Sequence, residues 1–430
     1  MINKLLENKH FINASALTIE KIIAFPITFF VSVLVARYLG AEFWGVFNYA
    51  LSIVSVIGVI TGLGLENIVI RELVKNEDRK NELLGSALFI RLIATTIGFF
   101  SVLSISFFHS DYYSRMVILI MSFEVLFSFL NPFEWFFNAK VKTKYIAIVR
   151  FISVILTASV KLLFIYLEMS LLAFAFSGLI TLFITILLNL YLFTSKFDSL
   201  KNLKVKFEDI KYFLKNSWPL LLSGLVAIIY MRIDQIMITN MLTSADNGNY
   251  SVAVRISELY YIIPGTATTA LLPWLIMARK NDYSLYLKRL QKLYFSFFWL
   301  AVFVSFVIYF FSEYGITLLF GNEYLNSVPA LKIHIWGSVI VSVGLITNKW
   351  IIVENLQKYE FNYLLVGALV NIILNYLMIP KFGINGAAFA TVVAQFIANI
   401  LAPLLFSETR IIIKIIALSI INYKIEDTKF

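Results

Sequence analysis

The chain has 430 residues, 60% of them hydrophobic and only 14% charged, with a formal net charge of +10. So little polar surface cannot coat a soluble globule of this length, and the bilayer must act as its solvent. The absence of Cys, and three scattered His at 10, 109 and 334, exclude disulfides, a thiolate or zinc site and a Cys nucleophile.

Residues 1–10 are polar, and the first apolar run carries Glu20 and Lys21 without a small-residue cleavage site. It reads as a retained span rather than a signal peptide. Apolar runs at roughly 11–36, 44–66, 83–108, 115–137, 145–167 and 169–194, then 215–242, 249–277, 291–312, 328–352, 360–379 and 384–406, predict about twelve transmembrane helices. Long runs without period-two alternation do not suit a barrel. Residues 409–422 are apolar but short and basic, which predicts an interfacial helix more readily than a thirteenth span.

The Lys and Arg alternate with these runs. Links 2–3, 4–5, 6–7, 8–9 and 10–11, with both termini, carry 25 of the 36 basic residues, whereas the opposite links carry only Arg37, Arg115 and Lys381. That asymmetry predicts an all-α integral membrane protein with cytoplasmic N and C termini. It also accounts for the net charge without nucleic acid as a partner, since short basic loops face anionic headgroups. The longest cytoplasmic link, 195–214, contributes to a run of six Lys from Lys196 to Lys215. No loop is long enough to fold as a catalytic domain, so function must lie between helices.

The basic link divides the chain into two six-helix bundles, 1–200 and 201–430, the second carrying the interfacial tail. LVARYLGAEFWGVFNYALSI (34–53) faintly echoes MITNMLTSADNGNYSVAVRI (237–256), matching Gly45 with Gly248, Phe47 with Tyr250, Leu39 with Leu242 and Ala50 with Ala253. Two unrelated hairpins with Gly turns would give the same echo. With six spans on each side, a parallel repeat of the kind transporters use is the better reading.

RYLGAEFWGVFNYALSIV (37–54) and GLGLENIVIREL (62–73) resemble the first hairpin of Wzx-type polysaccharide repeat-unit flippases, which belong to the multidrug/oligosaccharidyl-lipid/polysaccharide exporter superfamily. MRIDQIMI (231–238) resembles the start of that family's second half, and IPKFGINGAAFATVVAQF (379–396) its last hairpin. The resemblance implies a multi-pass protein of the bacterial cytoplasmic membrane. It implies translocation of an undecaprenyl-diphosphate-linked oligosaccharide to the outer leaflet for O-antigen, capsule or exopolysaccharide assembly. A polysaccharide polymerase and chain-length machinery are the implied partners. No cofactor and no enzymatic activity are implied.

Eight basic residues remain inside the apolar runs, where each costs at least ~2.5–3.5 kcal/mol at the bilayer centre. Arg150, Lys161, Lys332 and Lys349 lie near span ends and can snorkel. Lys21, Arg91, Arg232 and Arg255 lie deeper, at about 9–15 Å from the nearest span end, and are the candidate ligands of a diphosphate, because guanidinium and ammonium groups hold phosphate oxygens. Their acidic counterparts Glu20, Glu124, Asp234 and Glu258 are candidates for ion pairs or for a coupling proton or Na⁺. Internal pairing that only holds the bundle together stays open for all eight. Asn131, Glu134, Trp135, Asn138, Tyr230, Tyr260, Tyr261 and Asn371 are of the types that line a sugar cavity. Pro26, Pro132, Pro219, Pro264, Gly265, Pro273, Gly344 and Gly367 are candidate kinks, with Pro264–Gly265 the strongest. A drug or cation exporter of the same superfamily would favour acidic cavity residues. A lipid-linked peptidoglycan-precursor flippase would carry extra spans. An integral-membrane polymerase or transferase would need a large outer loop or a clustered acidic motif, and a mere helical scaffold would leave the internal Arg unexplained.

Overall fold

The computed structural model describes the backbone over residues 9–140 and 143–421, and the side chains of residues 20, 22–140 and 144–421. The chain forms two compact units. Unit 1 comprises the described parts of Met1–Leu39 and Val46–Ile228, and unit 2 those of Gly40–Gly45 and Ile229–Phe430. Unit 1 contains most of α1 (Lys9–Gly62), then α2 (Leu65–Lys75), α3 (Lys80–Phe107), α4 (Tyr112–Phe127), α5 (Pro132–Ala139), α6 (Thr143–Tyr166), α7 (Leu171–Lys196) and the first part of α8 (Phe207–Met241). Unit 2 contains the rest of α8, then α9 (Ser244–Leu259), α10 (Ile262–Asn281), α11 (Tyr283–Leu319), α12 (Ser327–His334), α13 (Gly337–Val353), α14 (Glu360–Phe396) and α15 (Arg410–Ile420). The boundary falls inside α8 rather than in the basic link.

The fold is all-α, and ten helical segments among the described residues are long and apolar enough to cross a membrane. This count is below twelve because α1 and α14 each join two apolar runs. Both helices are broken inside, at Gly40 (φ 74°) and Gly383 (φ 60°), where a left-handed backbone favours glycine. At Gly40 the restarted helix is capped. The Ala41 N–H donates to Glu323 Oε1 at 2.8 Å, placing a carboxylate at a helix N-terminus. Within unit 2 the two glycines paired by the sequence echo pack reciprocally. A Cβ on Gly45 would lie 1.7 Å from the Ser244 carbonyl oxygen, and one on Gly248 would lie 1.9 Å from that of Ala41.

Unit 1 has an apolar core where α2, α3, α5, α7 and α8 meet, built from Leu65, Leu84, Phe133, Phe136, Phe193 and Phe213. Phe133 and Phe193 rings meet edge-on at 5.1 Å. The basic link is not a free tether. Its Lys204 N–H donates to the Asn81 carbonyl at 3.2 Å, and its backbone runs so close to α3 that a Cβ on Gly85 would lie 2.3 Å from the Lys204 oxygen. Arg79 grips both oxygens of buried Asp209 at 2.7 and 2.9 Å. Lys80 pairs with Asp198 at 3.0 Å and Lys206 with Glu82 at 2.7 Å. Hydrogen bonds from Asn202, Lys80 and Asn81 hold the Asp198 carboxyl below the usual carboxylate range.

In unit 2, α10, α11, α13, α14 and α15 share a core that includes Tyr286, Leu290, Tyr294, Trp350 and Ile412. At 11 residues, α15 is about 16 Å long and too short to span the hydrocarbon. Ile412, Ile415, Ile416 and Ser419 face inward while Arg410 and Lys414 are exposed. Several candidate kinks resolve locally. Pro132 occupies the first position of α5, where its missing N–H costs nothing. The break near Pro264 sits one turn earlier, at Tyr260–Tyr261, which leaves Pro264 in the first turn of α10. Gly344 and Gly367 are packing contacts and not hinges, since Cβ atoms there would lie 2.0 Å from Asn399 Oδ1 and 2.8 Å from the Ala398 Cβ.

Candidate functional site

Unit 2 holds a carboxylate inside a neutral polar cluster. Asp234 of α8 is 5% exposed. Its Oδ2 accepts hydrogen bonds from the Tyr250 hydroxyl at 2.7 Å and the Thr391 hydroxyl at 2.6 Å, and its Oδ1 accepts from the Asn375 carboxamide. The same carboxamide donates to Asn371 Oδ1 at 3.1 Å. The Thr391 hydroxyl also lies 3.0 Å from the Ala387 carbonyl, but its single proton can serve only one acceptor. Asn375 Oδ1 is buried with no partner among the described residues. The cluster is therefore rich in oxygen acceptors around one negative charge, and among the described residues no Lys or Arg pairs with it. Such a charge is costly in a bilayer unless a proton or a hard cation neutralises it, and these oxygens are the donor types that suit either.

Close by in the same unit, Arg232 of α8 and Arg255 of α9 lie within electrostatic reach of each other and of Glu258. Both guanidinium groups are half-buried, and the Nε of each is enclosed without a partner among the described residues. Arg255 and Glu258, one turn apart, do not close a contact ion pair. Two cations thus share Glu258, which Asp234 also reaches electrostatically, and the enclosed Nε of each cation remains an open donor.

Unit 1 uses its buried cation differently. Arg91 of α3, 2% exposed, donates to the Thr61 carbonyl and reaches the Ser128 carbonyl and hydroxyl at 2.8 Å each. These acceptors lie at or near the C-terminal ends of α1 and α4, where carbonyls lack intrahelical partners and the helix dipole is negative. Arg91 is therefore a staple between helix ends through both terminal nitrogens, while its Nε is enclosed without a partner among the described residues. It also lines a cavity of about 290 Å³ together with Gly58, Gly62, Glu66, Asn131, Trp135 and Gly224. Glu134 pairs with Arg150 beside it. Glu124 of α4 packs its carboxyl where a Cβ on Gly178 would be, 1.9 Å from Oε1, and lies within reach of Lys161. Glu20 is buried, its Oε2 unpartnered among the described residues. The side chain of Lys21 lies outside the described residues.

The model of a family described as polysaccharide biosynthesis protein matches residues 12–279, more than half of the chain. The chain belongs to that family. Two curated relatives agree in part. It is 25% identical over 185 residues to the capsular polysaccharide biosynthesis protein CapF of Staphylococcus aureus, and 37% identical over 82 residues to an uncharacterized membrane protein, MJ1068, of Methanocaldococcus jannaschii. The matches span 46% and 16% of those relatives' lengths and 42% and 19% of this chain. Among solved structures, lipid II flippase MurJ in an inward closed conformation superposes with a TM-score of 0.73 at 20% identity, over 94% of this chain and 90% of that one. An inward-facing multidrug resistance MATE family transporter of the MOP superfamily superposes with a TM-score of 0.67 at 15% identity, over 90% and 95%. At these identities the likeness concerns the fold.

For this member of the polysaccharide biosynthesis family, the structure brings together Arg232, Arg255 and Glu258, with Asp234 and its hydrogen-bonded cluster within electrostatic reach of Glu258. Arg91 and Glu124 lie in the other unit. Sequence reasoning missed Tyr250, Asn375, Thr391 and Glu66 as members of polar sites. Asn371 and Asn375, one turn apart in an apolar helix, were a readable signal. Thr391 and Tyr250 carried none, because only the fold brings them to Asp234.

Proposed function

We propose that the chain is a flippase that moves an undecaprenyl-diphosphate-linked oligosaccharide repeat unit from the cytoplasmic to the outer leaflet of a bacterial cytoplasmic membrane, for surface polysaccharide assembly. Family membership supports a role in polysaccharide biosynthesis, and the name of the CapF relative supports a surface polymer. The observation that carries the substrate reading is the Arg232–Arg255–Glu258 group. Two guanidiniums with open donors in a membrane-embedded unit suit a diphosphate, which accepts paired, charge-assisted hydrogen bonds. Asp234 is the coupling group in this reading. It takes up a proton or a monovalent cation from its oxygen cluster and releases it once per cycle, biasing unit 2 between two arrangements. Polymerase and chain-length proteins then use the exported unit.

Deletion of the gene tests the reading. Accumulation of complete lipid-linked oligosaccharide with loss of surface polymer supports it. Accumulation of truncated sugar chains would instead favour an enzyme of assembly. In the intact gene, Arg232→Ala and Arg255→Ala are expected to reproduce the deletion while the protein remains inserted, with Lys rescuing only partly.

A further inference from the structure

The cavity of unit 1 is a poor fit for a diphosphate, since both terminal nitrogens of its one lining cation, Arg91, already donate to Thr61 and Ser128. We propose that it is a saccharide subsite that holds one uncharged pyranose ring, neutral or N-acetylated, of the cargo; this rests on the flippase reading for the identity of the cargo, though not for the binding itself. Three kinds of wall meet there. Glu66, in the first turn of α2, points a carboxylate with no hydrogen-bond partner among the described residues, and the Asn131 carboxamide and the Trp135 indole N–H are likewise unengaged. Together they offer acceptors and donors to ring hydroxyls and an acetamido N–H. Val59, Leu65, Leu220 and Leu221 supply apolar surface suited to the C–H faces of a sugar ring. Apolar surface joined by a few placed polar groups is the usual make-up of a small-ligand site.

The third wall is absent side chain. Gly58 and Gly62 lie one turn apart on α1 and both line the cavity. A Cβ on Gly58 would have no atom within 4 Å, and one on Gly62 would meet only Arg91 Nη1 at 3.9 Å. Glycine here is not needed for close packing, in contrast to Gly64, whose Cβ would lie 2.6 Å from both the Leu221 nitrogen and the Ser217 oxygen. Bare backbone at 58 and 62 leaves the space open. At about 290 Å³ the cavity lies at the lower end of ligand-site volumes, room for a single ring and too small for a polyprenyl tail. Glu66 and Arg91 together leave the lining with no net charge, which suits an uncharged ring better than a uronic acid.

The test uses the purified full-length protein in lipid nanodiscs and saturation-transfer NMR with methyl glycosides of gluco-, galacto- and manno-configured hexoses, their 2-acetamido forms and a methyl hexuronide. At least one uncharged probe is expected to bind in the millimolar range, and the hexuronide not to compete. Gly58→Leu is expected to abolish that binding with melting temperature unchanged or raised, since it fills open space in a helix. Glu66→Gln, Asn131→Ala and Trp135→Phe are each expected to weaken it about tenfold. Gly315→Ala, in open space on α11, is expected to leave it intact. Binding of no uncharged probe, or binding that survives Gly58→Leu, would overturn the proposal. Sugar binding lost in Gly58→Leu, combined with normal surface polymer in a deletion strain, would keep the subsite and remove the flippase reading.

Discussion

Gly45 and Gly58 lie on the same helix, and replacing each by Ala makes the same chemical change with opposite expected results. In a helix interior Ala is favoured over Gly by about 0.8–1.0 kcal/mol, and this gain applies to both. At Gly58 nothing stands within 4 Å of the new Cβ, so the gain is kept. At Gly45 the Cβ would lie 1.7 Å from the Ser244 carbonyl oxygen, and Cβ contacts under 3.0 Å do not occur, so α9 must retreat by at least 1.3 Å. Overpacking of this kind costs about 1–3 kcal/mol. The displacement also breaks the 2.9 Å hydrogen bond from Asn247 to the Gly45 carbonyl, worth about 1 kcal/mol. The two variants should therefore differ by about 2–4 kcal/mol, or roughly 5–15 °C for a unit of this size. Thermal melts in detergent, followed by tryptophan fluorescence at one fixed scan rate, measure the difference. Equal melting temperatures for Gly45→Ala and Gly58→Ala would refute the reciprocal glycine contact.

Arg91→Ala should act on stability, because it strands helix-end carbonyls of α1 and α4; a loss of about 3–5 kcal/mol is expected, read as poor thermal survival, and Arg91→Lys should recover little of it. Asp234→Asn should keep the protein folded but remove the dependence of transport on a proton or Na⁺ gradient, measured in proteoliposomes; gradient-driven transport at the wild-type rate would exclude Asp234 as the coupling group. Tyr250→Phe removes one charge-assisted hydrogen bond, about 1.5–3 kcal/mol, and should weaken coupling without abolishing it. The Asp198 carboxyl is held low in the folded state, so its contribution to the linker clamp is complete above the unfolded carboxylate value of about 3.9 and is lost only as pH falls below that. Limited trypsin cleavage at Lys201 and Lys204, with protein pre-equilibrated at each pH, should thus be flat from pH 8 to about 5; a rise within that window would contradict the assignment.

Periodicity and charge made the all-α membrane fold legible, because apolar length and loop charge are local quantities. The Gly45–Gly248 echo was legible for the same reason: a backbone approach too close for a side chain leaves a glycine at each contact point. The breaks at Gly40 and Gly383 were legible as turns but not as interruptions within continuous helical runs. Side-chain partners were harder to read. Arg91 looks like Arg232 and Arg255 in the sequence, yet it faces helix-end carbonyls that no linear pattern reveals. Asp234 was visible as a buried acid, while Tyr250 and Thr391 come to it from other helices. The polar lining of the cavity in unit 1 was half legible, in Asn131 and Trp135. Its open space was not, since glycines that make room and glycines that permit contact look alike in one chain.

The central claim is translocation of a lipid-linked oligosaccharide. The most direct measurement reconstitutes the purified protein into liposomes with a labelled undecaprenyl-diphosphate oligosaccharide and follows its appearance in the opposite leaflet with a membrane-impermeant sugar-oxidising or sugar-binding probe. Wild-type protein is expected to equilibrate the label between leaflets, and the Arg232→Ala/Arg255→Ala double variant to leave it where it began. No difference between wild-type, double-variant and protein-free liposomes would contradict the account.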